Sequence, residues 1–184
     1  MNNRSQRSDE NLLKASEHLA YEFWMIDSLA RKLKAEEASD DPMKNAMLEA
    51  FTVHARSILD FFYLPENQRR IPKPDDMLAD DYLHEDRNRW RSQRPTRTAI
   101  LDQVNDHVNK EIVHLCYGRI DALAIMKEWP ALQIRDDLFE ILDDFLSKAP
   151  RIRICDRLRG IAGLNKMTDV TQVAVSPSWK TTMS

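Results

Sequence analysis

The stretch NLLKASEHLAYEFWMIDSLARKL, residues 11–33, decides the fold class of this chain. Its apolar side chains recur at steps of three and four, which places them on one face of a helix. Asp9 and Glu10 come just before this pattern and suit the positive end of a helix dipole. The spacing predicts a first helix from about Ser8 to about Ala38. Its inner face carries Leu12, Ala15, Leu19, Phe23, Ile26, Ala30 and Leu33.

Three further segments have the same periodicity. A second helix is predicted over about 42–63, with Asp41 as its cap and Pro42 in its first turn. A third helix is predicted from near Thr96 or Thr98 to about Ile125, and a fourth over 131–150. Between the second and third helices, the stretch LPENQRRIPKP contains three prolines, which exclude a regular helix there.

The composition agrees with a helical fold. The chain has 184 residues, enough for one domain with a core, and only three glycines. Sheet proteins need more glycine than this for their tight turns. We therefore predict an all-α, single-domain helical bundle of four to five helices with an irregular proline-rich connector. The predicted boundaries are a frayed N-terminus over 1–9, the bundle over 10–160 and a flexible C-terminal tail over 161–184.

Several classes of protein are not expected from this sequence. The net charge of −3 gives no overall attraction to nucleic acid or to an anionic membrane. The two cysteines, Cys116 and Cys155, form no CxxC pair, so neither a disulfide framework nor a thiolate zinc site is expected. The stretch MNNRSQRSDENLLK lacks the apolar core of a signal peptide, and the sequence has no run of ~18 apolar residues and no glycine-rich phosphate loop. We predict a cytoplasmic protein without a cofactor that does not enter the membrane.

One stripe of the third predicted helix carries residues that could perform acid–base chemistry. His107 and His114 are seven residues, or two helical turns, apart, and Lys110 and Glu111 fall in the same arc. The alternative is that this arc is the polar border of an amphipathic helix. Glu111 and His114 also have the Glu-x-x-His spacing of di-iron bundles. A second such pair is missing, so no metal site is predicted.

The second helix offers His54, Arg56 and Asp60 as further candidates. His54 lies on the apolar side, where a hydrogen-bonded core histidine is more common than a ligand. Arg56 and Asp60 are four residues apart, which is typical of an intrahelical ion pair.

A basic stretch, RNRWRSQRPTR over residues 87–97, contains five arginines and Trp90, whose ring could stack on a nucleic-acid base. An acidic run over residues 75–86 comes directly before it. We favour the alternative that these two stretches pair with each other at the surface.

The residues NKEIVH, 109–114, together with HARSILDFFY, 54–63, resemble the HEPN (higher eukaryotes and prokaryotes nucleotide-binding) superfamily. This resemblance implies a helical bundle that commonly forms a dimer. Active members are metal-independent ribonucleases with an arginine followed four to six residues later by a histidine. Here Asn109 stands at the arginine position, Lys110 is the polar residue after it and His114 is the histidine. Asn109 cannot hold a permanent charge, so this chain departs from the pattern of active members.

The resemblance implies a homodimer that binds RNA or a nucleotide and is a degenerate ribonuclease. In an active protein His114 would be the general base on a ribose 2′-OH, and Lys110 or Arg119 would supply the positive charge. The residues expected to hold the ligand are His54, Arg56, Asp60, His107 and Arg119. The alternative is a non-catalytic structural or protein-interaction module that forms a helical dimer.

Overall fold

The regular structure of the chain consists of α-helices and short 3₁₀ turns. The computed structural model describes residues 5–35, 41–64, 71–107 and 129–165. Within these ranges there is no strand, which confirms the predicted all-α class. The helices are α1 (Asp9–Ala35), α2 (Pro42–Tyr63), α3 (Ala79–Leu83), α4 (Arg87–Gln93), α5 (Ala99–His107), α6 (Ala131–Lys148) and α7 (Asp156–Asn165).

The long helices begin where the sequence predicts them. Asp41 caps α2 by accepting a hydrogen bond of 3.0 Å from the backbone N–H of Met43, and Pro42 occupies the first turn. Thr98 accepts a bond of 3.3 Å from the backbone N–H of Leu101 at the start of α5. None of the helices in the described ranges is both long enough and apolar enough to cross a membrane.

The core lies where α1, α2 and α6 meet. α1 packs against α2, α6 and α7, and α2 also contacts α6. At the centre, Phe145 of α6 meets Phe61 edge to face, with their ring centroids 5.5 Å apart, and it meets Phe62 at 5.7 Å. Such edge-to-face contacts add to the stabilisation from burial alone. The fully buried aromatic side chains are Phe23, Phe51, Phe62, Tyr82, Trp90, Phe139 and Phe145.

The charged stretch over residues 75–97 contains α3 and α4, which the sequence did not predict. Trp90 is 1% exposed, and its Nε1–H donates a hydrogen bond of 2.8 Å to Asp144 of α6. The Trp90 ring is therefore buried in the core, and the interpretation that it stacks on a base is wrong. Arg91 forms a salt bridge with Asp80, as expected from the favoured pairing of the two stretches.

The last helix, α7, packs against the first helix, α1. The backbone N–H of Cys155 donates a bond of 2.8 Å to the buried Ser16 hydroxyl of α1. Arg153 forms a salt bridge of 2.7 Å with Asp9 and donates to the carbonyl of Tyr82. α7 extends into the region predicted as tail, where Ala162 is buried because this helix packs on α1 and α6. Residues 166–184 lie outside the described residues.

The N-terminal segment has contacts although it is not helical. Gln6 donates a hydrogen bond of 2.9 Å to the ring of His84, and Arg7 donates one of 2.7 Å to the carbonyl of Pro74. Gln6 and Arg7 thus contact the turn after α3 and the end of the proline-rich connector, within a stretch that the sequence predicted to be frayed.

Candidate functional site

The structure describes the side chains of three predicted site residues, His54, Arg56 and Asp60. His107 is the last residue of α5, and its side chain is not among those described. The other predicted site residues lie outside the described residues. They are Asn109, Lys110, His114 and Arg119.

His54 is held by the neighbouring helix. Its Nδ1 lies 2.7 Å from a carboxylate oxygen of Glu22 of α1, and its side chain is 15% exposed. The Tyr21 ring meets the imidazole edge to face, with a centroid distance of 5.7 Å. A carboxylate at this distance accepts a hydrogen bond from the ring N–H and so fixes the orientation of the ring. His54 thus forms a hydrogen bond within the fold, as the core interpretation expects, and its role in ligand binding stays a prediction.

Asp60 lines a cleft of about 260 Å³ between α1, the end of α2 and residues 76–78. Glu22 and Asp76 also line it, and so do His18 and Ser57. The rest of the wall is apolar and consists of Leu19, Phe61, Leu64, Met77 and Leu78. Three carboxylates repel a phosphate group, so this cleft is unsuited to positioning one. Glu22 links the two predicted residues, because it accepts from His54 and lines the same cleft as Asp60.

Sequence reasoning missed Glu22 and His18. The two residues are four positions apart on α1 and border the apolar stripe, which is the signal that could have identified them. The residues of α2 that they lie near depend on how α1 and α2 align. No pattern within one helix contains that information. Within the described part of the chain, no three His, Cys, Asp or Glu side chains are grouped so that they could hold a metal ion.

The side of α2 that faces away from the core is apolar and accessible. We call it the outer face of α2. Met43 is 61% exposed and Val53 is 49% exposed. Glu49 and Arg56 lie along one border of this face, at positions seven residues apart. The outer face consists of Met43, Ala46, Ala50, Val53 and Ser57, at steps of three, four, three and four.

The aromatic side chain of Tyr21 lies next to the opposite border, where it touches His54. It is 39% exposed. The helices that contact α2 are α1, α3, α5 and α6. Among the described residues, therefore, Met43, Ala46 and Val53 of the outer face are exposed to solvent, whereas Ala50 packs partly against the core and Ser57 lines the cleft beside α1.

The arginines of the basic stretch divide into two groups. Arg94 donates to the carbonyl of Phe62 at the end of α2, and its guanidinium lies 4.1 Å from the centre of the Tyr63 ring. Arg97 forms a salt bridge of 2.9 Å with Asp102. Arg91, Arg94 and Arg97 thus stabilise the fold, whereas Arg87 and Arg89 are exposed on α4.

Cys155 is a buried thiol at the start of α7. Burial raises its pKa, and this effect exceeds that of the hydrogen bond with Ser16, which lowers the pKa. A buried thiol with a raised pKa is a poor nucleophile.

Comparisons with protein-family models, with curated proteins and with solved structures found no match for this chain.

Proposed function

We propose that this chain is a non-catalytic protein-interaction module that binds a helix of its partner along the outer face of α2. The observation that supports this function is the exposure of Met43 and Val53 on a helix face with three–four spacing. That spacing is typical of helices that pack against another helix, because it keeps the apolar positions aligned along the seam. An apolar helix surface next to an exposed aromatic ring is a common feature of binding sites.

Three polar side chains in the described part of the chain are engaged in the fold. His54 is paired with Glu22, Trp90 with Asp144 and Arg91 with Asp80. A residue that positions a substrate must keep a polar atom available to it. These contacts favour a structural use of Trp90 and Arg91, whereas the contact of His54 with Glu22 engages Nδ1 and not Nε2.

Site-specific photo-crosslinking in intact cells tests the proposal. A benzophenone side chain replaces Val53 in the full chain and, as the matched control, the 65% exposed Ile152 of the 3₁₀ turn before α7. We expect covalent adducts from position 53 and none from position 152. Ala46→Glu should suppress the adducts, because it places a charge on the exposed face without burying it in the free chain. A position 53 that forms no adduct, or the same adducts with Ala46→Glu, would contradict the proposal.

RNA or nucleotide binding is a second candidate, as the HEPN resemblance implies. The observation that favours it is the exposure of Arg87 and Arg89, two arginines of the predicted basic stretch. In this candidate His114 and Lys110 contact the phosphate and ribose, and any ribonuclease activity would use His114 as the base.

Fluorescence anisotropy with labelled single-stranded RNA tests this second candidate. Binding should weaken as salt rises, because phosphate contacts release counterions. His114→Ala should abolish binding or cleavage and leave the thermal melt nearly unchanged if His114 is a site residue. If His114 is structural, the same change should lower stability by about 1 kcal/mol through a lost hydrogen bond. RNA binding that survives in a destabilised variant would rule out a site at His114.

A further inference from the structure

We infer that the helix that binds the outer face of α2 is basic, and that it inserts a lysine side chain into the cleft beside α1. This inference rests on the proposed function and names the chemistry of the partner. The apolar side of the partner helix lies on Met43 and Val53. Its lysine ammonium lies among the carboxylates of Glu22, Asp60 and Asp76, which line the cleft.

The cleft and the outer face of α2 are continuous. Ser57, the last residue of the outer face, also lines the cleft. It follows Val53 by four residues, which is one helical turn and about 6 Å along the axis of α2. On the α1 side, Glu22 of the cleft contacts His54, whose ring contacts the exposed Tyr21. A helix that lies on Val53 can therefore reach the cleft with a side chain three or four positions away in its own sequence.

The wall of the cleft suits a lysine side chain. The cleft has a volume of about 260 Å³, and apolar side chains such as Leu19, Met77 and Leu78 surround the three carboxylates. The methylene groups of a lysine can pack against such a wall while the ammonium meets the carboxylates. Among the described residues, those that line the cleft include no lysine and no arginine. The lining therefore favours a cation over a phosphate or an acidic side chain.

The three carboxylates have partners within the chain, and these contacts hold them in place. Glu22 is bound to His54. Asp76 accepts a hydrogen bond of 2.7 Å from the backbone N–H of Lys73, and Asp60 also interacts within the chain. An ionised carboxylate has about four lone-pair positions, so each can accept a further hydrogen bond. Because the groups are already ordered, little of the binding energy is lost in positioning them.

A metal ion is the alternative cation for this cleft. Its carboxylate ligands would have to converge to about 2.0–2.6 Å from one point. Within the described part of the chain, no three His, Cys, Asp or Glu side chains are grouped so closely. An ammonium donates three hydrogen bonds of about 2.7–2.9 Å in separate directions, so it tolerates the wider spacing of these carboxylates.

Peptide selection on the purified full chain tests the inference. A phage library of random peptides of about 20 residues, long enough for a helix of about 30 Å, is selected on the immobilised protein. Enriched peptides should carry apolar residues at steps of three and four, with a lysine three or four positions from one of them. Fluorescence anisotropy of each labelled peptide then gives its dissociation constant.

Removal of either charge partner should weaken the complex. Asp60→Asn and Glu22→Gln should each raise the dissociation constant about tenfold, and so should norleucine in place of the peptide's lysine, because it keeps the apolar chain without the ammonium. Asp60→Asn and norleucine together should cost little more than either alone, since both remove the same contact. Glu140→Gln, at an exposed position of α6, is the matched control and should leave the affinity unchanged. Circular dichroism identifies any loss that comes from unfolding.

The outcomes separate this inference from the proposed function. Enriched peptides without a basic residue, or with acidic ones, overturn the basic partner. Basic peptides that bind Asp60→Asn and Glu22→Gln as tightly as the wild type overturn the cleft as their site. In both cases the interaction module stands if Ala46→Glu still weakens the peptide. A library that yields no peptide overturns the inference, and the absence of adducts from position 53 would overturn the interaction module with it.

Discussion

The inner and outer faces of α2 are both apolar, but the fold uses them differently. The inner face carries large side chains such as Phe51, Ile58 and Phe62, which are at most 1% exposed. The outer face carries small or medium side chains, and its largest members, Met43 and Val53, are about half exposed or more. A helix that serves a single core needs only one apolar side. Apolar character therefore does not identify the core by itself.

The largest expected effect is on the inner face. Phe62→Ala removes a ring that contacts Phe23, Trp90 and Phe145. The lost burial and the cavity left behind should lower the free energy of unfolding by about 3–5 kcal/mol, measured by urea denaturation. A loss below ~1 kcal/mol would mean that the core closes around the gap, and the contrast between the two faces would disappear.

The buried phenol of Tyr82 extends the comparison to pH. Its hydroxyl donates a bond of 3.0 Å to the carbonyl of Leu12, and burial raises its pKa. A raised pKa means that the folded state holds the proton more tightly than the unfolded state. The stability from this group is therefore complete below the usual tyrosine pKa of about 10 and is lost as pH rises.

At pH 11 this loss should be on the order of 1 kcal/mol, because the unfolded phenol ionises more readily than the buried one. Urea denaturation at pH 8 and at pH 11 measures this loss. Between these pH values the free energy of unfolding should fall by this amount more in the wild type than in Tyr82→Phe. An equal fall of stability in both proteins would assign the alkaline effect to other groups.

The border between the faces should give an intermediate effect. His54→Ala removes the hydrogen bond to Glu22, which is 25% exposed and can recover water. We expect a loss of about 1 kcal/mol in the free energy of unfolding. His54→Gln is the matched variant, since an amide can still donate to the carboxylate, and it should recover part of the loss. An unchanged free energy of unfolding in His54→Ala would show that this contact orients the ring without stabilising the fold.

The smallest effect is expected on the outer face itself. Val53→Ala in the purified chain, in the absence of a partner, should change the free energy of unfolding by less than about 0.5 kcal/mol. Thermal melts measure it. A larger loss would mean that Val53 is buried by the chain itself, and the outer face would then be part of the core.

The sequence predicted the long helices well for a physical reason. In α1, α2 and α6 the apolar positions extend over several turns, so that the period of 3.6 residues is visible, and α2 also begins at the capping residue Asp41. Helices α3 and α4 have five and seven residues, too few to display a period. The burial of Trp90 could not be predicted from its charged neighbours, because it depends on contact with α6.

The candidate site was less accessible to sequence reasoning. His54 could be placed on the apolar side of α2, and its hydrogen bond within the fold follows from that position. Its partner Glu22 is 32 positions away in the chain, and the alignment of α1 against α2 that joins them is set by tertiary packing. The outer face carries a regular pattern, but an apolar pattern alone does not tell which of two sides is buried.

The bonds between α7 and α1 also govern how this protein emerges from the ribosome. Ser16 and Cys155 are 139 positions apart. At a synthesis rate of about 5–20 residues per second, α1 waits roughly 7–28 s for the helix that covers its first half. During that time the nascent chain exposes apolar surface that the finished protein hides, so ribosome-associated chaperones should bind it until α7 has been made. A synonymous change that slows translation before residue 155 would lengthen this exposure and lower the yield of folded protein without altering a single amino acid.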